Sequence, residues 1–250
     1  MRLTIAALTT ALSLVIALPA WAAGTAITYT ISDQPYEGYQ VKAKGSSKGL
    51  VLVIHDWDGL TDYEVKRANM LSELGYDAFA VDLYGKGNRP VETGAKKAEM
   101  GKLFKDRETF RNRILSGLAE ARKTFDGAAV VMGYCFGGAA VLELARSGQS
   151  KDVKGYVSFH GGLTTPDDQN YSKADAPILI AHGAADASIS MQAVAKLSEE
   201  LEATKATYTI EVYSGAPHAF TVFGSDRYQK RADNLSWASF KDFLTANLTN

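Results

Sequence analysis

What most restricts the fold of this chain is an alternation: from Val51 onward, apolar runs of strand length recur between segments of helical periodicity. The runs are Val51–Ile54, Ala78–Val81, Ala128–Met132, Val153–Phe159, Ile178–Ala181 and Tyr208–Tyr213. Successive side chains of a strand point to opposite faces, so runs apolar at every position suit strands covered on both sides. Helical spacing marks Tyr63–Leu74, Arg107–Phe125, Gly138–Arg146, Met191–Ala203 and Tyr228–Leu248. A strand that returns to its sheet through a helix runs parallel to its predecessor by a right-handed crossover. Ahead of these, Ala26–Ile31 and Tyr39–Ala43 read as two strands joined by a polar turn, an antiparallel edge. The expected fold is α/β, a mostly parallel sheet of about seven or eight strands with helices on both faces.

Length and charge bound the rest. The 250 residues are 46% hydrophobic, with 27 basic against 28 acidic side chains, as in one ordinary globular domain. A formal net charge of −1, with no long basic run, gives no electrostatic basis for a nucleic-acid partner. The amino terminus departs from this profile. Met1-Arg2 is a short positive end, Leu3–Pro19 is almost wholly apolar or small, and the segment closes on Ala20-Trp21-Ala22. Such an order describes a signal peptide over residues 1–22, cleaved after Ala22, with a single domain over 23–250. The alternative is an uncleaved membrane anchor. Export to the periplasm or medium is expected, with no membrane contact after cleavage.

Cys135 is the sole cysteine, so no internal disulfide can form in that oxidising setting. Its surroundings bear on its role. Gly133-Tyr134-Cys135-Phe136-Gly137-Gly138 lies between an apolar run and a helical stretch, the G-x-nucleophile-x-G elbow of the α/β-hydrolases with cysteine where serine is usual. A side chain at the tip of so sharp a turn needs small neighbours two residues away on each side, and the amino-terminal end of the helix favours a thiolate. A nucleophile needs a base, and the base something to orient it. Asp186, five residues past Ala181, and His218, five residues past Tyr213, fall on loops beyond later strands in the order nucleophile, acid, histidine.

An oxyanion needs two backbone donors. Phe136 N–H, directly after the nucleophile, is one candidate. Trp57, in the His55–Leu60 loop after Val51–Ile54, is the other. His55 and His182 close apolar strands and read as structural, whereas His160 is a candidate for the pocket wall. Tyr84–Gly101, interrupted by Gly85, Gly87, Pro90 and Gly94, carries no clear element and is a candidate pocket lip, with Tyr84 at its start.

These residues together resemble the dienelactone hydrolase family. The resemblance runs from Val51 to about Leu244. It rests on His55–Leu60, Val81-Asp82-Leu83-Tyr84-Gly85, the elbow, His182-Gly183-x-x-Asp186 and Pro217-His218-Ala219-Phe220. It implies a Cys135–Asp186–His218 triad with Phe136 and Trp57 as oxyanion donors. Asp56 matches a family glutamate that holds the resting thiol, but is one methylene shorter. Val222 stands where the family carries an arginine for the substrate carboxylate, so dienelactone itself is not the expected substrate. Arg89, Lys96 or Lys97 could supply positive charge from another side. The expected activity is hydrolysis of small-molecule carboxylic esters or lactones through a thioester, with no metal or other cofactor implied. An acyltransferase on the same triad and a non-catalytic binding protein of the same fold are the alternatives.

Overall fold

The computed structural model describes residues 24–248, so the apolar leader and its cleavage site lie outside the described residues. The described residues open with a hairpin of β1 (Thr25–Ile31) and β2 (Gln34–Val41). Only Ser32 and Asp33 join them, with φ of 47° and 64°, as a tight two-residue turn with positive φ at both positions requires. The polar stretch from Gln34, read above as turn, is therefore the first half of β2. This strand buries Tyr36 and Gly38 on one face and Val41 on the other, with partly exposed residues between, so it carries no continuous apolar run.

The remaining strands are β3 (Leu50–Ile54), β4 (Asp77–Val81), β5 (Ala129–Tyr134), β6 (Val153–Phe159), β7 (Ile178–Gly183) and β8 (Tyr208–Tyr213). They form one eight-stranded sheet in the order β1-β2-β4-β3-β5-β6-β7-β8. The pairs β1/β2 and β2/β4 are antiparallel and all others parallel. Every residue of β3, β4, β5 and β7 is buried. β8 corrects the expectation of a strand covered on both sides: it is the sheet edge, and only Tyr213 within it is buried.

Among the described residues six helices cover the sheet: α1 (Asp62–Glu73), α2 (Thr93–Lys105), α3 (Arg107–Ala121), α4 (Phe136–Ser147), α5 (Met191–Thr204) and α6 (Lys230–Leu248). Alternate strand residues divide the core in two. Leu52 and Ile54 pack with Ile114 of α3, Leu142 of α4 and Leu197 of α5. Val51 and Val53 pack on the other face with Leu71 of α1 and Phe240 of α6. α2 occupies much of the segment read as lacking structure. It contains Gly94 and Gly101, which disfavour a helix, and it buries only Leu103, so no repeating apolar stripe marks it.

The chain passes from β3 to β4 on one side and then returns to place β5 on the other side of β3. Loops leaving the carboxyl ends of β3 and β5 therefore diverge. Ligands of doubly wound sheets bind in the crevice such a divergence opens.

Candidate active site

β5 and α4 are separated by a single residue, Cys135, whose φ of 51° and ψ of −109° lie outside the ordinary regions for a side chain with a Cβ. Strain of this kind persists where the surroundings over-determine it. Here the surroundings are backbone. A Cβ on Gly133 would fall 2.3 Å from the Gly137 carbonyl oxygen, and one on Gly137 would fall 2.3 Å from the Ile54 carbonyl oxygen. Cys135 N–H donates to Phe159 O at 3.0 Å, which ties the turn to β6. α4 is buried from Phe136 to Arg146, so the helix carrying the elbow is part of the core.

Loops from two later strands converge on the sulfur. His218 Nε2 lies 3.1 Å from Cys135 Sγ, and His218 Nδ1 lies 2.8 Å from Asp186 Oδ2. The other Asp186 oxygen accepts the N–H groups of Ser188 (2.8 Å) and Ile189 (2.9 Å), so the carboxylate cannot rotate without losing bonds. The carboxylate accepts the hydrogen bond from Nδ1–H, which leaves Nε2 as the acceptor facing the thiol. Burial, and next the Asp56 carboxylate, push the Cys135 thiol up to about 12, while the Phe136 N–H and Arg227 act in the opposite direction. That upward shift favours the neutral thiol at neutral pH.

The thiol opens on a cleft of about 420 Å³. Trp57, Met100, Phe104, Phe136, Ile189 and Val222 give it a largely apolar wall. Two of these come from α2, so the lip expected in Tyr84–Gly101 is a helical flank extending to Phe104. Trp57 lies on the loop between β3 and α1, and its carbonyl accepts the Tyr84 hydroxyl at 3.2 Å. Lys96 is in the wall but paired with Asp58 at 3.3 Å. Arg89 is occupied by Asp82 at 3.3 Å and by backbone carbonyls, and Lys97 is exposed on α2.

Asp56 borders the cleft and accepts the Asp58 N–H at 3.1 Å. Burial raises its pKa to about 9, reinforced by the side-chain bond with Asp58 and by the nearby Glu64. Burial also acts upward on Asp58, but the bond from Asp56 and the Lys96 ammonium hold it below the usual carboxylate value. The pair thus holds one proton on Asp56 at neutral pH and leaves one negative charge facing Lys96.

Two pocket candidates sit elsewhere. The Tyr84 ring is buried against His55 and Phe136, at centroid distances of 4.7 and 5.6 Å, behind the wall. His160 is wholly buried behind His218, with ring centroids 5.3 Å apart. His55 bridges two loops, receiving Leu83 N–H on Nε2 at 3.1 Å while Nδ1 lies 2.6 Å from Asp56 O. Sequence reading missed Arg227, an exposed cation lining the cleft nine residues after His218 in the loop before α6. No spacing rule selects it, because a loop's course is not written in periodicity.

A nucleophile elbow after β5, with an acid and a histidine on the loops after β7 and β8 of a mostly parallel sheet, defines an α/β-hydrolase. The chain matches the dienelactone hydrolase family model over residues 36–248 and belongs to that family. It is an ester or lactone hydrolase. It is 25% identical over 213 residues to a Bradyrhizobium protein named "Probable 2-oxo-3-(5-oxofuran-2-ylidene)propanoate lactonase", covering 79% of this chain and 84% of that one. Among solved structures, m3DLH is similar at 27% identity with a TM-score of 0.79, covering 90% of this chain and 98% of that one. A dienelactone hydrolase-like promiscuous phosphotriesterase from metagenomic libraries is similar at 25% identity, also with a TM-score of 0.79 and the same coverage of 90% and 98%.

Proposed function

We propose that this hydrolase cleaves carboxylic esters or lactones through a Cys135–His218–Asp186 triad and a thioester acyl-enzyme. The observation that carries the reading is the relay at the cleft floor, 3.1 Å from sulfur to Nε2 and 2.8 Å from Nδ1 to Asp186. His218 Nε2 takes the thiol proton as Sγ attacks the substrate carbonyl carbon, and the C=O electron pair moves to oxygen. The backbone N–H groups of Phe136 and Trp57 hold that oxyanion. Collapse breaks the C–O bond, and the leaving alkoxide takes the proton from His218. Water then adds to the thioester with His218 as base, and the second collapse releases the acid and returns the proton to sulfur. Asp186 keeps the ring in one tautomer throughout. Amides are poorer substrates, because a thiolate leaves a tetrahedral intermediate more readily than an amine.

The apolar wall and Val222 favour a neutral acyl portion. Arg227 at the solvated edge adds a screened attraction of at most about 1 kcal/mol for an anion. Matched esters with and without a carboxylate are therefore expected to differ in kcat/KM by less than roughly tenfold; a preference of a hundredfold or more for the acid would show a carboxylate site.

The decisive measurement is p-nitrophenyl acetate turnover with adduct detection by mass spectrometry. Cys135→Ala and His218→Ala are expected to lose at least about 10³-fold in kcat, and Asp186→Asn roughly 10³–10⁴-fold. Wild type is expected to carry an acyl mass on Cys135 during turnover. Equal catalysed nitrophenol release by wild type and Cys135→Ala would overturn the nucleophile assignment, release by both at the uncatalysed rate would favour a binding role, and ester exchange with an added alcohol at the expense of hydrolysis would identify an acyltransferase.

A further inference from the structure

We propose that His160 is a positioning residue for His218: by accepting a hydrogen bond from Thr221 it fixes the loop that carries the base. This rests on the triad reading above. His160 follows β6 with a φ of 40°, an uncommon conformation for a residue other than glycine, and its N–H donates to Ala181 O at 2.8 Å. Its side chain is fully buried. Nε2 lies 2.7 Å from Thr221 Oγ1, and the ring stands at 66° to that of His218. His160 therefore touches both the catalytic ring and the residue three positions beyond it.

Arg67, which can only donate, favours one direction along this chain of bonds. Arg67 donates to the Tyr63 oxygen at 3.3 Å, and Tyr63 OH lies 2.7 Å from Thr221 Oγ1. With Tyr63 donating to Thr221, the Thr221 hydroxyl proton goes to His160 Nε2, and His160 carries its own proton on Nδ1. Burial, followed by the charges of His218 and Arg67, holds His160 well below the usual histidine value, so the ring is neutral at working pH and has one nitrogen free to accept. Arg67 also donates to Thr221 O at 2.9 Å and pairs with Asp233 of α6. Thr221 is thus held by α1 at its carbonyl and by His160 and Tyr63 at its hydroxyl. The base must present Nε2 in turn to sulfur, to the leaving oxygen and to water, and small misplacements of reacting atoms are costly.

The test compares His160→Leu, His160→Gln, Thr221→Val and Thr221→Ser on one ester, with kcat, KM and thermal unfolding read separately. Gln places an acceptor near the Nε2 position, and Ser keeps the hydroxyl. His160→Leu and Thr221→Val are expected to lower kcat about 10- to 100-fold with KM within about twofold. Their double variant is expected to be no worse than the poorer single, because both remove one bond. Gln and Ser are expected to recover kcat to within a few-fold. Folded His160→Leu with kcat within about twofold of wild type overturns the proposal, as do losses that multiply in the double variant. If His160→Leu fails to fold, the Val/Ser pair at Thr221 decides: equal kcat for both overturns it. Full activity of Cys135→Ala or His218→Ala instead overturns the triad, and the positioning role with it; loss of activity there beside unchanged kcat in the other variants refutes positioning alone.

Discussion

At the residue scale, the sulfur's environment sets how it can be used. A thiol pushed up to about 12 by burial and by Asp56 is almost entirely protonated at neutral pH, so exposure to an alkylating agent meets few thiolates. Because the thiol lies below its own midpoint throughout the working range, the thiolate fraction rises tenfold per pH unit. Iodoacetamide labelling of Cys135 is expected to climb by about that factor per unit between pH 7 and 10. A plateau already reached near pH 7, followed over time by intact mass, would mean a preformed thiolate–imidazolium pair. Cys135, Asp186 and His218 were legible in the sequence because each depends on a short local pattern next to a strand end. Tyr84 and His160 were not correctly placed, because whether a residue at a strand end faces a cleft or backs it depends on which rings stand in front. Phe136 and His55 stand beside Tyr84, and His218 stands beside His160.

At the element scale, the elbow works because α4 lies almost in contact with β3. The Gly137 position has no room for a methyl group: its nearest neighbours would be the Ile54 and His55 carbonyl oxygens at 2.3 and 2.6 Å, and backbone cannot rotate aside. Gly137→Ala is expected to cost about 3 kcal/mol or more, seen as a lowered urea midpoint, and to lose activity in whatever fraction folds. Unchanged stability would show that α4 can shift away from β3. The helices with a wide apolar face and the doubly covered strands were readable from periodicity. α2 and β8 were misread for a common reason. α2 touches the body through few residues and β8 has one open side, so neither carries the burial pattern that sequence reading relies on. That same sparse attachment lets α2 supply Met100 and Phe104 to the cleft.

Across the whole molecule, α1 and α6 share one face of the sheet, and the contact between them contains a buried cation. Arg67 is 1% exposed, pairs with Asp233, and has the rings of Phe223 and Trp237 at 4.3 and 5.0 Å from its guanidinium. Cutting it back leaves an uncompensated buried carboxylate. Arg67→Ala is expected to destabilise the fold by about 3–5 kcal/mol, measured by urea unfolding. A loss below about 1 kcal/mol would mean that water reaches Asp233 and solvates it.

The sequence by itself determined the class of fold, the two-residue neighbourhood of the nucleophile and the chain order of the three catalytic candidates, because all of these are set by contacts between near neighbours and by burial on both faces of a sheet. Tertiary structure alone decided the strand order that opens the crevice beside β3, the helix that walls it, the arrival of Arg227 at its edge and the network from Arg67 through Thr221 to His160. Those features join residues far apart in the chain, as Arg67 and Asp233 are at 166 positions. Their meeting depends on how whole elements pack, and no local pattern of residues encodes it.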